Sequence, residues 1–268
     1  MNKIFLFYWY ISDSWNIIYD YHLQNLKYYI KKYGFDEKIF IIAYDKNVNQ
    51  NLFVKTINCL RECIPDAKFM FYDNDPDLRE SYYFYNEIAM KLDRFKPNDV
   101  IFFAHNKGKY TYYDRDVDIW VNLLYYGNLN DPQKIENFLA NNNQICFGTF
   151  TKQNETIIRL FGSIYAPFLT QRYKWHYSGT FFWFKPYLLH QEIKNNSLTM
   201  EENSRYFTEK FLGHLIPFDE KKAVFNLGTT DGILSNYITS FPKEEYDKFV
   251  KISNLITYEV QKIRQITT

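Results

Sequence analysis

The sharpest chemical feature of the chain is His105-Asn106-Lys107-Gly108, which follows an apolar run at residues 100–104. An imidazole and an ammonium two residues apart leave a strand end together, and Gly108 permits a tight turn or a close ligand approach. The pair suits a diphosphate: Lys107 supplies charge and donors, and His105 a directed hydrogen bond. The same residues also make an ordinary solvated loop, and chemistry alone leaves the two readings level. A second group, Asp73, Asp75 and Asp77, follows the run 68–72. Carboxylates there suit a divalent cation or the hydroxyls of a ribose, while Asp75-Pro76 suits helix capping equally well. In residues 175–183, His176 and Ser178 offer hydrogen bonds between aromatic flanks, and Gly179 lets a ligand approach the backbone. A core strand with a bulge at Gly179 accounts for the same segment. Glu209 lies among aromatics on a helix and suits a general base for a sugar hydroxyl. A surface glutamate beside Lys210 is the commoner setting.

The elements that must position these residues are legible from periodicity. Residues 3–9, 38–44, 68–72 and 100–104 are short, near-continuous apolar runs with the length of buried strands. Between them lie amphipathic helices. Leu23, Leu26, Ile30 and Tyr33 share one face, stopped by Gly34; a second helix covers 52–63, closed by Pro65; Leu78, Tyr82, Tyr85, Ala89 and Leu92 form the third face. This βαβαβαβ order predicts an α/β fold with a mainly parallel central sheet flanked by helices. In such sheets ligands bind outside the carboxyl ends of strands, here residues 10–14, 45–47, 73–77 and 105–109. Further on, Asp131-Pro132 opens a helix to Ala140, 145–150 and 177–184 are strands, a capping box at 199–202 opens a helix to Gly213, and 243–265 form a C-terminal helix. No repeat or linker divides the chain, which predicts one domain over 1–268.

Composition bounds the partners. In 268 residues, 46% are apolar and 21% aromatic, with 25 Tyr and 25 Phe, enough for a large core and for rings that stack on sugar faces. A net charge of +1 with no basic stripe argues against a nucleic-acid partner. Cys59 and Cys63 are one helical turn apart, no second cluster completes a zinc site, and with Cys146 the odd count suits a reducing compartment. Residues 4–10 are apolar but too short to span a membrane, so a cytoplasmic protein is expected, with contact at a membrane surface left open. His22, His190 and His214 suit surface or capping roles. No Ser/His/Asp triad spacing, Walker loop or GxGxxG is present.

Taken in order, the motifs resemble a family of glycosyltransferase-like proteins. Its pattern is an apolar strand ending in His-x-Lys-Gly, a Trp about a dozen residues later, a Ser-Gly-x-Phe-Trp-like segment, and an aromatic stretch with Glu before Leu-Gly. Here these are His105, Lys107 and Gly108, then Trp120, then Ser178-Gly179-Thr180-Phe181-Phe182-Trp183, then Glu209 in FTEKFLG, over roughly residues 70–215. The resemblance implies a Rossmann-like GT-A fold, with a nucleotide-sugar-binding half (1–115), an acceptor-side half (116–242) and a C-terminal helix (243–268). It implies hexosyl transfer from a nucleotide sugar to a hydroxyl of a glycan or lipid-linked acceptor, in polysaccharide biosynthesis. Lys107 and His105 then stabilise the leaving diphosphate, and Asp73, Asp75, Asn106 and Gly108 contact the donor. Trp120, His176, Ser178, Gly179 and Trp183 contact acceptor or sugar, and Glu209 is the base or a sugar-hydroxyl ligand. One departure matters. Enzymes of that fold usually carry Asp-x-Asp where this chain has His105-Asn106-Lys107. Either the two cations replace the charge of a metal, or Asp73 and Asp75, one strand earlier, hold Mn2+ or Mg2+. A non-catalytic sugar-nucleotide-binding protein and a nucleotidyltransferase are the alternatives.

Overall fold

The four apolar runs of the first hundred residues become adjacent strands: β1 (Asn2–Tyr10), β2 (Glu37–Tyr44), β3 (Lys68–Asp73) and β4 (Asp99–His105). The computed structural model describes residues 1–11, 15–75, 77–106, 115–153, 175–177, 179–195, 207–216, 219, 221–230, 243–244, 247–248 and 250–255. The other strands are β5 (Cys146–Gln153), β6 (Trp175–Tyr177), β7 (Phe182–Phe184) and β8 (Ala223–Thr230). They form one mixed sheet in the order β3-β2-β1-β4-β7-β5-β6, with β8 on the far edge of β5. The β1–β2, β1–β4, β2–β3 and β5–β8 pairings are parallel; β4–β7, β5–β7 and β5–β6 are antiparallel. The result is an α/β fold, mostly parallel and flanked by helices, compatible with a Rossmann-like arrangement. The sheet is continuous from residue 2 to residue 230, so it spans both halves inferred from sequence.

Alternate residues of the central strands enter two cores. Phe5, Phe7, Trp9, Phe40 and Phe102 face α1 (Trp15–Tyr33), α2 (Gln50–Cys63), α4 (Arg115–Leu129) and α5 (Pro132–Ala140). Ile4, Leu6, Tyr8, Ile41 and Phe103 face α3 (Glu80–Tyr83) with its continuation, α6 (Pro186–Asn195) and α7 (Phe207–Leu215). Burial on both faces is why β1 and β4 carry uninterrupted apolar runs. β3 is the outer strand of its edge, and Met70 and Phe71 stay exposed. Side chains cap two helix starts, Asp131 as expected and Asn49 two residues ahead of the expected start at 52. Asn49 accepts from the N–H of Asn51 (2.9 Å) and Leu52 (3.3 Å), and Asp131 from Lys134 (3.0 Å). Gly34 closes α1 with φ +66°.

Three expectations need correction. The predicted face Leu78/Tyr82/Tyr85/Ala89/Leu92 is shifted: Tyr82 is exposed, and the buried residues are Ser81, Tyr83, Phe84, Ile88, Ala89 and Leu92. The cause is a change of helix type, from α in α3 to π (Phe84–Ile88) to 3-10 (Ala89–Arg94). The π turn interrupts the 3.6-residue period within this stretch, so the buried face is not the one a uniform helix predicts. The strand expected at 177–184 is two pieces against β5. Trp175–Tyr177 pairs with residues 151–153, and Phe182–Phe184 with 146–148. Between them Gly179 (φ +92°) and Thr180 (φ +59°) leave the ladder, the bulge that Gly179 suggested. The helix ending near Gly213 continues to Leu215, while its capping box at 199–202 lies outside the described residues. The C-terminal residues are helical at 243–244, 247–248 and 250–255. Ser253 there accepts a hydrogen bond from Asn122 (2.8 Å), which accepts one from Asn25 (3.0 Å). No helix among the described residues is long and apolar enough to cross a membrane.

Lys185, between β7 and α6, is buried and closes the end of α5. Its ammonium donates to the carbonyls of Phe138 (2.8 Å) and Asn141 (2.7 Å), 4.6 Å over the Phe138 ring. Burial holds its pKa down to about 8. The unfolded chain keeps this proton up to about pH 10.4, so between those values the unfolded state binds more protons and stability rises with pH. Wild type should therefore gain stability relative to Lys185→Met from pH 7.5 to 9.5, by at most about tenfold in unfolding constant per pH unit. A flat difference between their urea unfolding curves would show that burial does not depress this lysine.

Candidate functional site

Strand order locates the crevice. β2 and β3 step away from β1 on one side and β4 returns to the other, so the direction of winding reverses between β1 and β4. Tyr8 and His105 are register partners there. Asn106 extends the pairing beyond the last residue of β4. Its backbone N–H donates to the Tyr8 carbonyl (3.1 Å), its Oδ1 accepts from the Tyr10 N–H (2.7 Å), and its Nδ2 donates to the Tyr10 carbonyl (2.8 Å). A side-chain amide thus takes the place of one more peptide in the ladder. His105 is buried, with its ring 6.3 Å from that of Phe181.

A second set of polar groups ties the ends of β1, β2 and β3. Tyr10 Oη donates to Asp45 Oδ2 (2.5 Å), Asn74 Nδ2 donates to Asp45 Oδ1 (2.8 Å), and Tyr8 Oη donates to Asn74 Oδ1 (3.3 Å). Burial pushes the Tyr8 phenol well above its ordinary range, reinforced by Glu80, Tyr10, Asp45 and Asp75. Tyr8 is therefore a permanent donor. The acids around it make this stretch of the edge electronegative. Sequence reasoning marked the residues after each strand and so reached Asp45 and Asn74 only as segments. It missed Tyr8, whose side chain lies one residue pair inside the ladder and carries no local polar signal.

Asp75 makes cap-like bonds, but to a turn and not to the expected helix start: Oδ1 accepts from the N–H of Asp77 (2.9 Å) and Leu78 (2.8 Å), and α3 begins only at Glu80, after Arg79, with no side-chain cap. Asp73 ends β3 on the outer edge. Among the described residues no group of three His, Cys, Asp or Glu side chains could hold a metal ion.

The downstream motif residues divide. Trp120 of α4 stacks on Phe150 (ring centroids 5.3 Å, 19°), and a Cβ on Gly179 would lie 3.1 Å from the Trp120 Nε1 and 2.8 Å from Leu124. Trp120 and Gly179 are thus neighbours, and Phe181, two residues on, reaches His105. Phe150 (φ +53°) and Thr180 (φ +59°) bracket this contact in a backbone region costly for branched or bulky residues. The Thr180 hydroxyl is buried with no hydrogen-bond partner among the described residues. Trp183 is a correction. It lies wholly in the core against Tyr33, Phe35 and Phe102, with its indole N–H bonded to the Asn128 carbonyl (2.9 Å), which leaves no face for a sugar. Its signal was a strand aromatic, and packing satisfies it. His176 is in β6 and Glu209 in α7, with side chains outside the described residues, as are Lys107, Gly108 and Ser178 altogether. No protein-family model matches this chain, and no curated protein matches it in sequence.

Proposed function

We propose that this chain is a glycosyltransferase of GT-A-like fold that moves a sugar from a nucleotide-sugar donor to a hydroxyl of a glycan or lipid-linked acceptor, in the cytoplasm or at a membrane surface. The observation that carries the reading is the reversal of strand order between β1 and β4, because open α/β sheets bind ligands outside the strand ends at such a reversal. The edge is also polar in charge. Asp45, Asp75 and Glu80 lie near Tyr8 on one side, suited to ribose or sugar hydroxyls, while His105 ends β4 and Lys107 follows it two residues on in sequence, a pair suited to a diphosphate. In the reaction, the bond from the anomeric carbon to the diphosphate breaks and the diphosphate leaves with its electron pair. The acceptor oxygen bonds to that carbon, and its proton passes to a base, for which Glu209 is the candidate. His105 and Lys107 stabilise the leaving charge. Trp120 and Gly179 border the acceptor side. Asp75, with one oxygen committed to backbone N–H groups, fits poorly as a ligand for Mn2+ or Mg2+, and no step is routed through a metal. That commitment also supports a second reading, a binding protein of the same fold without turnover.

A thermal-shift panel of sugar nucleotides and nucleoside triphosphates, with and without Mn2+, separates the readings. A sugar nucleotide at one hundred times its Kd should stabilise the protein by about 2.7 kcal/mol, raising Tm by roughly 5–10 °C. A Mn2+-dependent preference for triphosphates would instead indicate a nucleotidyltransferase. Lys107→Ala should keep its Tm and lose about 100- to 1,000-fold in transfer or donor hydrolysis. Binding with no turnover by wild type supports the non-catalytic reading, and full turnover by Lys107→Ala removes Lys107 from the mechanism.

A further inference from the structure

At the amino ends of β5 and β8 lies a cleft of about 620 Å3, bounded by the turn after α5, by α6 and by the turn before β8. β5 runs in the same sense as β4, since both are antiparallel to β7. The cleft is therefore on the opposite edge of the sheet from the β1–β4 crevice. An eight-residue strand separates the two edges by roughly 25 Å.

The lining is unusual in chemistry. One wall is the turn of Asn141, Asn142, Asn143 and Gln144. This turn is rigid. The Asn141 side chain accepts from the Asn143 N–H (2.9 Å), and its carbonyl accepts from Gln144 (3.2 Å) and from buried Lys185 (2.7 Å). With the backbone so occupied, the amides of Asn142, Asn143 and Gln144 make no hydrogen bond among the described residues. The facing wall is one stripe of α6: Leu188, Gln191, Glu192 and Asn195, the spacing that aligns side chains on a helix. The charges cancel in number: Lys222 pairs with Glu192 across the cleft, and Asp219, which accepts from the Lys221 backbone N–H (2.9 Å), balances the charge of Lys221. Ile145 and Leu188 supply the apolar part of the surface.

We propose that this cleft binds a neutral oligosaccharide. A side-chain amide presents one acceptor and two donors in a plane, which matches adjacent sugar hydroxyls that each donate and accept. Amides from two elements line one opening, and the apolar surface of Ile145 and Leu188 suits the C–H face of a pyranose. Zero net charge gives no attraction for a nucleotide or a phospholipid headgroup. The cleft is thus a glycan-holding site distinct from the strand-end crevice, and the proposal stands apart from the reading of that crevice.

The test is calorimetric titration of the full chain with neutral hexasaccharides of glucan, mannan, xylan and chitin type. Binding of at least one with a Kd of about 0.1–1 mM is expected. Gln191→Ala/Asn195→Ala should weaken it at least tenfold, keep the wild-type Tm, and leave any thermal shift by sugar nucleotides unchanged. Because both residues are at the surface of α6, a folding defect is not expected, and Asn142→Ala on the other wall provides an independent variant. Absence of binding by every hexasaccharide, binding that survives both variants, or binding displaced by a sugar nucleotide overturns the proposal. So does binding of an extended peptide in place of any saccharide.

Discussion

Gly213→Ala is expected to leave little folded protein at 37 °C. Gly213 lies in α7, and a Cβ built on it would sit 1.5 Å from the backbone carbonyl oxygen of Trp175 in β6. Ordinary C···O contact needs about 3.3 Å, and here the obstacle is backbone, which cannot rotate away. Relief requires α7 to lift from the sheet. Phe207, Phe211, Leu212, Leu215 and Ile216 are all buried beneath it, and Trp175 Nε1 donates to the Ile216 carbonyl (2.8 Å). Partial loss of that packing costs on the order of 4 kcal/mol or more, a large share of a total stability of about 5–15 kcal/mol. A Tm lower by roughly 10 °C or more should follow. Gly34→Ala is the control. Gly34 has φ +66° but nothing within 4 Å of the added carbon, so only the left-handed backbone penalty of about 1–2 kcal/mol applies. Equal melting of the two variants would show that α7 and β6 are not in backbone contact. The result also bears on the FTEKFLG segment. Its glycine is accounted for by helix–strand packing, whatever Glu209 does.

The contrast between Gly213 and His105 shows what the sequence can carry. β1, β2 and β4 are legible because burial on both faces forces continuous apolar residues, a signal contained within each strand. Gly34 and Asp131 are legible because helix ends are local chemistry. Contacts set by tertiary packing are not local. Nothing near Gly213 announces the approach of Trp175, and nothing near Gly148 announces that the Tyr177 ring lies across it, 2.5 Å from where a Cβ would be. The α–π–3-10 change in residues 80–94 shifts a face by a fraction of a turn, which a uniform 3.6-residue period cannot represent. α4 and β8 had no sharp caps or alternation to mark them, and α6 is announced only by Pro186 at its first position. In the candidate site, strand ends pointed to the edge where β1 and β4 part, but Tyr8 and the Asp45–Asn74 link emerge only from the register of three strands. Trp183 failed as a sugar contact because an aromatic in a strand has the same sequence signal whether it faces a ligand or the core.

Asn106 offers the test that joins fold to site. Its amide satisfies both polar groups of Tyr10 where β1 and β4 begin to part. In Asn106→Ala both are left without this partner, at a cost of about 2–3 kcal/mol. In Asn106→Asp at pH 7 the carboxylate still accepts from the Tyr10 N–H but faces the Tyr10 carbonyl with a second acceptor, so it should be no better than alanine. Protonation changes the sign. A neutral carboxylic acid has one O–H donor and one acceptor and can restore both bonds. The folded state then holds the proton more tightly than the unfolded chain, so the folded pKa is raised above about 3.9. The stabilisation is complete below the unfolded value and is lost as pH rises through the folded one. Urea unfolding should therefore rank Asn106→Asp above Asn106→Ala near pH 4 and level with or below it at pH 7. Comparing the two variants cancels the titration of every other carboxylate. An order independent of pH would mean that the amide does not bridge Tyr10 in both directions. On the proposed function Asn106 also contacts the donor, so both variants should lose the sugar-nucleotide thermal shift at pH 7. Asn106→Asp should lose it even if its stability is restored by other means, since a carboxylate beside the expected diphosphate adds repulsion that no gain in folding removes.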